Sequence, residues 1–423
     1  MNITIHRGAK EIGGSCVEIQ NKAGESILLD LGLPLTDEAD CETLPKTLKL
    51  ERKNILGVFI SHVHQDHYGL LPLALEQNIP VFLSEPTYQI IREAFFWQPW
   101  NKKLNIPENL VNIIIPKKAI DRGQFSITAY EVDHVYGAMA FLVKADNKKV
   151  FYSGDFRAHG HAAYKTKNLL KEPAIKNVDA LLLEGTTLTD SNSHSNVPEK
   201  ELIPKFTKYF QDCQGLALVT CSGQNIDRIV TLIKTANALK RKLVLDAYTY
   251  YIARSVNNRS INGALNKVLI YLSEKDRQRY AGRKDQELFA KVDWKTKPRV
   301  FIKDLKNNPE KYLLLLRHYT IPDLEKHKVN LPEAKFAYSL WDGYFKKKDK
   351  QVDLLKAFLK KYHIPLDFIH TSGHADPATL QKLVNWVTPA KLIPIHTEHP
   401  ERYAKHFNGH KVLPILDGQS AEI

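Results

Sequence analysis

The chain has 423 residues, more than one ordinary hydrophobic core accommodates, so two domains are the starting expectation. Its composition, 43% hydrophobic and 25% charged, is that of an average globular protein and excludes fibrous and disordered classes. The formal net charge of +13, with an isoelectric point near 9.2, favours polyanionic partners through electrostatic steering and counterion release. There is no apolar run of membrane-crossing length and no basic-then-apolar leader, so the expectation is a cytoplasmic protein with no membrane partner. Cys16, Cys41, Cys213 and Cys221 form no C-x-x-C pair, which points to reduced, buried thiols rather than a disulfide framework or a cysteine zinc site.

Residues 1 to about 190 read as short strands broken by turns. Gly13–Ile19 and Ser26–Asp30 form a hairpin pattern, and Val58–Ser61 is a buried strand that runs into a histidine-rich loop. Leu70–Leu75 reads as helix, and further strands are expected at Phe125–Val132, Ala138–Lys144, Lys149–Ser153 and Ala180–Leu183. After residue 195 the texture changes. Strand-like Leu216–Thr220, helix-like Asn225–Leu239 and strand-like Lys242–Asp246 predict a parallel α/β unit. A lysine-rich stretch spotted with aromatics runs from about 279 to 350 and reads, lysine by lysine, as solvated surface. The last 55 residues return to strand–helix–strand. The expected division is 1–195, 196–365 and 366–423, the outer two pieces making one domain.

His62-Val63-His64-Gln65-Asp66-His67 follows the strand at Val58–Ser61 directly. Residues two apart on an extended loop point the same way, so His62 and His64 can share an ion, while Asp66 and His67, at the turn into a helix, can face a second. A lone histidine is more often structural, but four potential ligands within six residues are not explained by packing. Imidazole and carboxylate without thiolate suit zinc, and manganese less well.

This string resembles the signature of the metallo-β-lactamase superfamily, and four further residues match it in order. They are Asp30 in Leu28-Leu29-Asp30, His134 in Val132-Asp133-His134, Asp155 in Ser153-Gly154-Asp155, and His396 in Pro394-Ile395-His396. The resemblance implies that His62, His64 and His134 hold one metal and that Asp66, His67 and His396 hold the other. It further implies that Asp155 bridges them and that Asp30 orients the histidine loop from behind. Asp155 and His396 are separated by 241 positions, room for an inserted domain. With Glu184 in Leu183-Glu184-Gly185 and His374 in Ser372-Gly373-His374, this spacing resembles the β-CASP nucleases of the ribonuclease J type. The implied fold is α/β: a metallo-β-lactamase αββα sandwich with an inserted parallel α/β β-CASP domain. Cys221–Arg228 resembles the family's substrate-facing loop, although Ser222 and Asn225 also read as an ordinary helix N-cap.

What the resemblance implies is hydrolysis of a phosphodiester in single-stranded RNA, by exo- or endonucleolytic attack of a hydroxide bridging two zinc ions. Asp66, His374 and Glu184 are then the catalytic side chains. His374 acts on the phosphate or leaving oxygen, and Glu184 orients a ligating histidine. Ser222, Asn225, Ser372 and Gly373 are expected to hold substrate phosphate under an insert that closes a basic groove. Three other readings stay open: a DNA nuclease of the same family, a small-molecule metallo-hydrolase, and an inactive RNA-binding scaffold. The long Asp155–His396 separation opposes the small-molecule hydrolase and the intact ligand set opposes the scaffold. Thr397 stands where the family often has glycine, and no counterpart of the ribonuclease J C-terminal domain follows His396, so oligomerisation is compatible but not implied. His159 and His161 read as surface or groove residues, and His6, His194 and His318 as without functional context.

Overall fold

Ile3 and Ile5 alternate inward on β1 (Asn2–Arg7), the first strand of a computed structural model that describes residues 1–35, 43–97, 106–189, 196–281, 291, 298–329 and 331–423. Cys41, His194 and part of the lysine-rich stretch lie outside the described residues. β2 (Cys16–Gln20) and β3 (Ser26–Leu29) complete an antiparallel set with β1, and β4 (Ile55–Phe59), β5 (Val81–Ser84) and β6 (Val111–Ile114) continue the sheet in parallel. A second sheet begins with the antiparallel run β7 (Ala119–Arg122), β8 (Phe125–Glu131), β9 (Met139–Ala145) and β10 (Lys148–Tyr152), to which β11 (Ala180–Glu184) adds in parallel.

The chain then builds a separate unit, Val197–Ser372. Its strands are β12 (Ala217–Thr220), β13 (Lys242–Asp246), β14 (Leu269–Tyr271), β15 (Tyr312–Leu315), β16 (Lys335–Tyr338) and β17 (Leu366–Phe368). All pair in parallel, in the order β14-β13-β15-β12-β16-β17, with helices such as Ile226–Ala238 as crossovers. Inside it, the fully buried Arg228 guanidinium grips Glu199 at 2.7 and 3.1 Å, and Thr231 donates to the same carboxylate. Leu366–Phe368 pairs with Phe336–Tyr338, so the junction back to the first unit falls at Ser372/Gly373, later than the division at 366 that the sequence pattern implies.

The first unit comprises Met1–Asn196 and Gly373–Ile423. Its returning segment supplies β18 (Lys391–Ile395), which pairs with β11 at the edge of the second sheet, and β19 (Gln419–Glu422), which pairs with β1 at the edge of the first. Period-2 alternation sorts the side chains. Phe141, Val143, Val150 and Leu182 face Ile3, Ile5, Val17 and Leu29 across the two sheets. Their neighbours Ala140, Leu142, Phe151, Leu181 and Leu183 turn to the other face and pack with Leu380, Leu383 and Val384 of the helix Pro377–Val387. This is an αββα sandwich. Neither β1 nor the edge strand β19 is foreseen above; β19 is polar and four residues long, and only pairing with β1 makes it a strand.

His6, also without expected function, is structural. Glu18 on β2 is buried, with His6 Nε2 at 2.9 Å, Ser26 Oγ at 2.6 Å and Arg52 at 2.8 Å. Burial works to raise the Glu18 carboxyl, but these hydrogen bonds and the Arg52 charge outweigh it and bring it down to about 2. A carboxyl lowered in the folded state contributes stability above its unfolded value and loses it as pH falls toward the folded one. Glu18→Gln is therefore expected to cost up to about 3 kcal/mol near neutrality. In urea denaturation across a pH series, the gap to the wild-type chain should close as pH drops from about 5 toward 2.

Candidate metal centre

All the residues expected to bind metal belong to the first unit, and they arrive at strand ends. β3 leads into Asp30, β4 into Ser61–His67, β8 into His134 and β10 into Asp155, while β11 ends at Glu184 and β18 leads into His396. Gly32 makes the first of these junctions close: a side chain there would collide with the Asp66 carbonyl. The flanking backbone instead pairs directly with the histidine loop, Leu31 N to His67 O and Leu33 N to Gln65 O. Asp30 and His396 both hold left-handed backbone, φ 60° and 52°. Such conformations cost on the order of 1–3 kcal/mol each for a residue with a side chain and persist only where the surroundings enforce them.

The side chains gather into three groups whose ligating atoms lie within 4.8 Å of one another: His62, His64, His134 and Asp155; Asp66, His67 and His396; and Asp155, Glu184, His374 and His396. Asp155 links them. Its Oδ2 is 3.2 Å from His67 Nε2, 3.7 Å from His62 Nε2 and 3.8 Å from His134 Nε2, while its Oδ1 is 3.7 Å from His396 Nδ1.

Each outer nitrogen is tied. His134 Nδ1 donates to the Gly373 carbonyl at 2.6 Å, and His67 Nδ1 to Asp30 Oδ2 at 2.8 Å. His62 Nδ1 lies 3.0 Å from Ser61 Oγ, and His396 Nδ1 lies 2.9 Å from Thr186 Oγ1. A carbonyl or carboxylate only accepts, so His134 and His67 carry a proton on Nδ1 and turn Nε2 inward. His64 is reversed: its Nδ1 faces the Nε2 atoms of both His62 and His134 at 3.1 Å. Three imidazole nitrogens thus converge with more lone pairs than protons to share.

These residues fit a divalent metal on their own evidence. His67 Nε2 and Asp155 Oδ1 are buried and make no hydrogen bond, which is costly unless a cation completes them. Burial and neighbouring imidazoles push His62 and His134 well below the usual histidine range, toward the neutral form that ligates. Burial opposes charge on His67 too, but Asp155, Asp30 and Asp66 override it and raise it. Among the described residues, His159 and His161 join no such group. His159, read above as a surface or groove residue, is buried, where the loop after Asp155 folds back and Gly160 N donates to Asp133.

Glu184 also departs from expectation. Its nearest imidazole is His374, not one of the expected ligands: Oε2 lies 3.3 Å from His374 Nδ1, and its oxygens accept from Phe156 N and Thr186 N. Gly373 contributes its carbonyl to His134, and the loop that carries Gly373 and His374 is pinned by Thr187 Oγ1 on Ala375 O and Asn196 Nδ2 on His374 O. Ser222, Asn225 and Ser372 belong to the second unit. There, Asn225 Oδ1 caps the helix Ile226–Ala238 through Arg228 N, and Ser222 Oγ accepts from Gln224 N. Three contributors escape the motif reading: Ser61, Tyr152 and Thr186. Ser61 and Thr186 each adjoin or nearly adjoin a motif residue, but their hydrogen bonds depend on partners far away in sequence.

Fold and cluster together define a metallo-β-lactamase, and the chain belongs to that superfamily. A model of the beta-lactamase superfamily domain matches residues 26–211, and one of the Zn-dependent metallo-hydrolase RNA specificity domain matches 366–412. These two matches, with relatives named ribonuclease J, are consistent with the β-CASP, ribonuclease J-like family. Ribonuclease J of Sinorhizobium meliloti is 23% identical over 87% of this chain and 61% of its own length. That of Mycoplasma pneumoniae is 24% identical over 93% of this chain and 67% of its own. The chain thus spans about three fifths to two thirds of the length of these relatives. In fold it is similar to the crystal structure of a protein of unknown function from Enterococcus faecalis V583, with a TM-score of 0.74 and 20% identity over 100% of this chain and 99% of that one.

Because Asp30 fixes His67 from behind, Asp30→Asn, which keeps shape but removes charge, is expected to weaken metal binding roughly ten- to a hundredfold. Competition against a chromophoric chelator measures this; unchanged affinity would remove Asp30 from the support of the site.

Proposed function

We propose that the protein is a metal-dependent phosphodiesterase that hydrolyses single-stranded RNA, with two zinc ions as resident metals and manganese as the second choice. The carrying observation is the position of Asp155, whose two carboxylate oxygens reach imidazoles of both histidine groups. In this reading His62, His64 and His134 hold one ion, Asp66, His67 and His396 hold the other, and Asp155 is shared. Two such ions would lower the pKa of a shared water from about 15.7 toward 7 and neutralise charge gathering on a phosphate. The match of 366–412 to an RNA specificity domain, which takes in Gly373, His374 and His396, supports RNA as the substrate. So do the names of the ribonuclease J relatives and the charge of +13.

The remaining roles belong to the chain's own groups. His374 stands beside Glu184 and Asp155, at 3.3 and 3.8 Å. Burial disfavours its cation, but the two carboxylates dominate and push it up to about 9. It is therefore a hydrogen-bond donor suited to a phosphate oxygen or the departing alkoxide. Glu184 is the group that orients it. Ser222, Asn225, Ser372 and Gly373 are the proposed contacts to substrate phosphate. Ser222 and Asn225 follow β12, and Arg317 follows the adjacent β15 and binds the Cys221 carbonyl at 2.9 Å. The connections β12–β13 and β15–β16 run opposite ways along the sheet. Such a crevice at the carboxyl ends of parallel strands is where open α/β sheets take ligands.

Elemental analysis should return two ions per chain, and His64→Ala or Asp155→Ala should abolish hydrolysis of labelled RNA. Trace metal only, with chelator-insensitive activity, would sink the reading. A time course on 5′-phosphorylated and 5′-hydroxyl RNA and DNA decides the substrate and the mode of attack.

His374→Ala should keep both metals and lose about 10²–10⁴-fold in kcat, with much less change in substrate affinity. Metal lost together with activity would make His374 a ligand, and near-normal turnover would remove it from the chemistry.

A further inference from the structure

The second unit exposes aromatic rings where a globular surface ordinarily hides them. Trp341, Tyr344 and Phe368 are 55%, 45% and 44% exposed. They are not scattered. Trp341 and Tyr344 meet edge to face with centroids 5.3 Å apart, and Phe368 meets Phe345 at 5.3 Å and the buried Tyr338 at 5.6 Å. Tyr338 and Phe368 end the adjacent parallel strands β16 and β17, and Trp341–Phe345 follow β16 at once, so the cluster sits at the carboxyl edge of this sheet.

The geometry holds the outermost ring in place. The indole of Trp341 lies against the backbone of Gly343, so closely that a Cβ at 343 would collide with its six-membered ring. Lysines surround the rings. Residues 341–350 carry Lys346, Lys347, Lys348 and Lys350 against two aspartates. Asp342 pairs with Lys346 at 2.6 Å, and Asp349 caps the following helix through Gln351 N and Val352 N. Lys347 lies over the Tyr344 ring and Lys356 over Phe345, at 5.8 and 5.0 Å from the centroids.

We propose that this aromatic–lysine cluster is a stacking platform for the bases of single-stranded RNA. The inference rests on RNA being the substrate and assigns a second binding surface to it. Rings fixed before binding lose little entropy when a base stacks on them, and every base has a π-face, so such a surface recognises single strands without reading sequence. The lysines match a phosphate backbone, whereas a protein partner for exposed rings would more often be met by a rim of mixed charge.

The test is binding of a phosphorothioate oligouridylate, resistant to cleavage, to the full chain, followed by anisotropy. Trp341→Ala with Tyr344→Ala should weaken binding roughly ten- to a hundredfold, since base–aromatic stacking is worth about 1–3 kcal/mol per base. Trp341→Phe should retain most of the affinity but lose the fluorescence quenching that RNA causes in the wild-type chain. Gly343→Ala is the sharper variant. Alanine favours helix over glycine, so folding should not suffer, yet affinity should fall because the indole is displaced. Affinity within twofold of wild type in the double variant overturns the platform, as does loss of self-association with RNA binding intact, which would make the cluster a protein interface. If the wild-type chain cleaves RNA while the variants bind it normally, the platform fails alone. If the wild-type chain binds and is quenched but cleaves nothing, hydrolysis fails and the platform stands. If it binds no RNA at all, both fall.

Discussion

The carboxylate of Asp30 is the fixed point of the first unit. It is fully buried and accepts four hydrogen bonds: Ser61 N at 2.6 Å, Ser61 Oγ at 2.7 Å, Tyr152 Oη at 2.7 Å and His67 Nδ1 at 2.8 Å. These donors come from the loop after β4 and from β10 of the opposite sheet, so one side chain ties the sandwich together at the level of the metal centre. A buried charge with four partners is tolerable; the same charge with one removed is not.

Around that point the protein concentrates more ionisable groups than proteins ordinarily bury. Burial drives the imidazoles of His62 and His134 toward neutrality, while the carboxylates of Asp66 and Asp155 stay ionised because the surrounding histidines outweigh their desolvation. Such an arrangement calls for cations. Divalent metal ions satisfy both conditions, taking neutral nitrogens and anionic oxygens as ligands. The outer hydrogen bonds from Gly373, Thr186 and Ser61 then set which nitrogen of each ring faces inward.

The second unit solves a different problem. The inner strands of its parallel sheet are largely buried, and a bidentate Arg228–Glu199 pair is enclosed within the unit. Its exposed rings and lysines stand where the strands end, so the part of the chain that reads as ordinary solvated surface, lysine by lysine, acquires a pattern only when β17 brings Phe368 beside Phe345.

The histidine–carboxylate cluster was legible in the sequence because its pattern is local: His62, His64, Asp66 and His67 lie within six residues, and Asp30, His134, Asp155 and His396 each follow an apolar strand. The αββα sandwich and the parallel α/β insert were legible for a similar reason, since period-2 and helical periodicities are written residue by residue. What tertiary structure alone decided depends on pairs remote in the chain. His374 faces Glu184 from 190 positions away, and no local pattern records that pairing. Ser61, Tyr152 and Thr186 are ordinary polar residues until Asp30 and His396 arrive beside them, and Gln419–Glu422 is polar coil until β1 offers it an edge. Sequence patterns record which face of an element is apolar. They do not record which distant hydrogen-bonding group will meet a given side chain, because that is set by how the sheets stack.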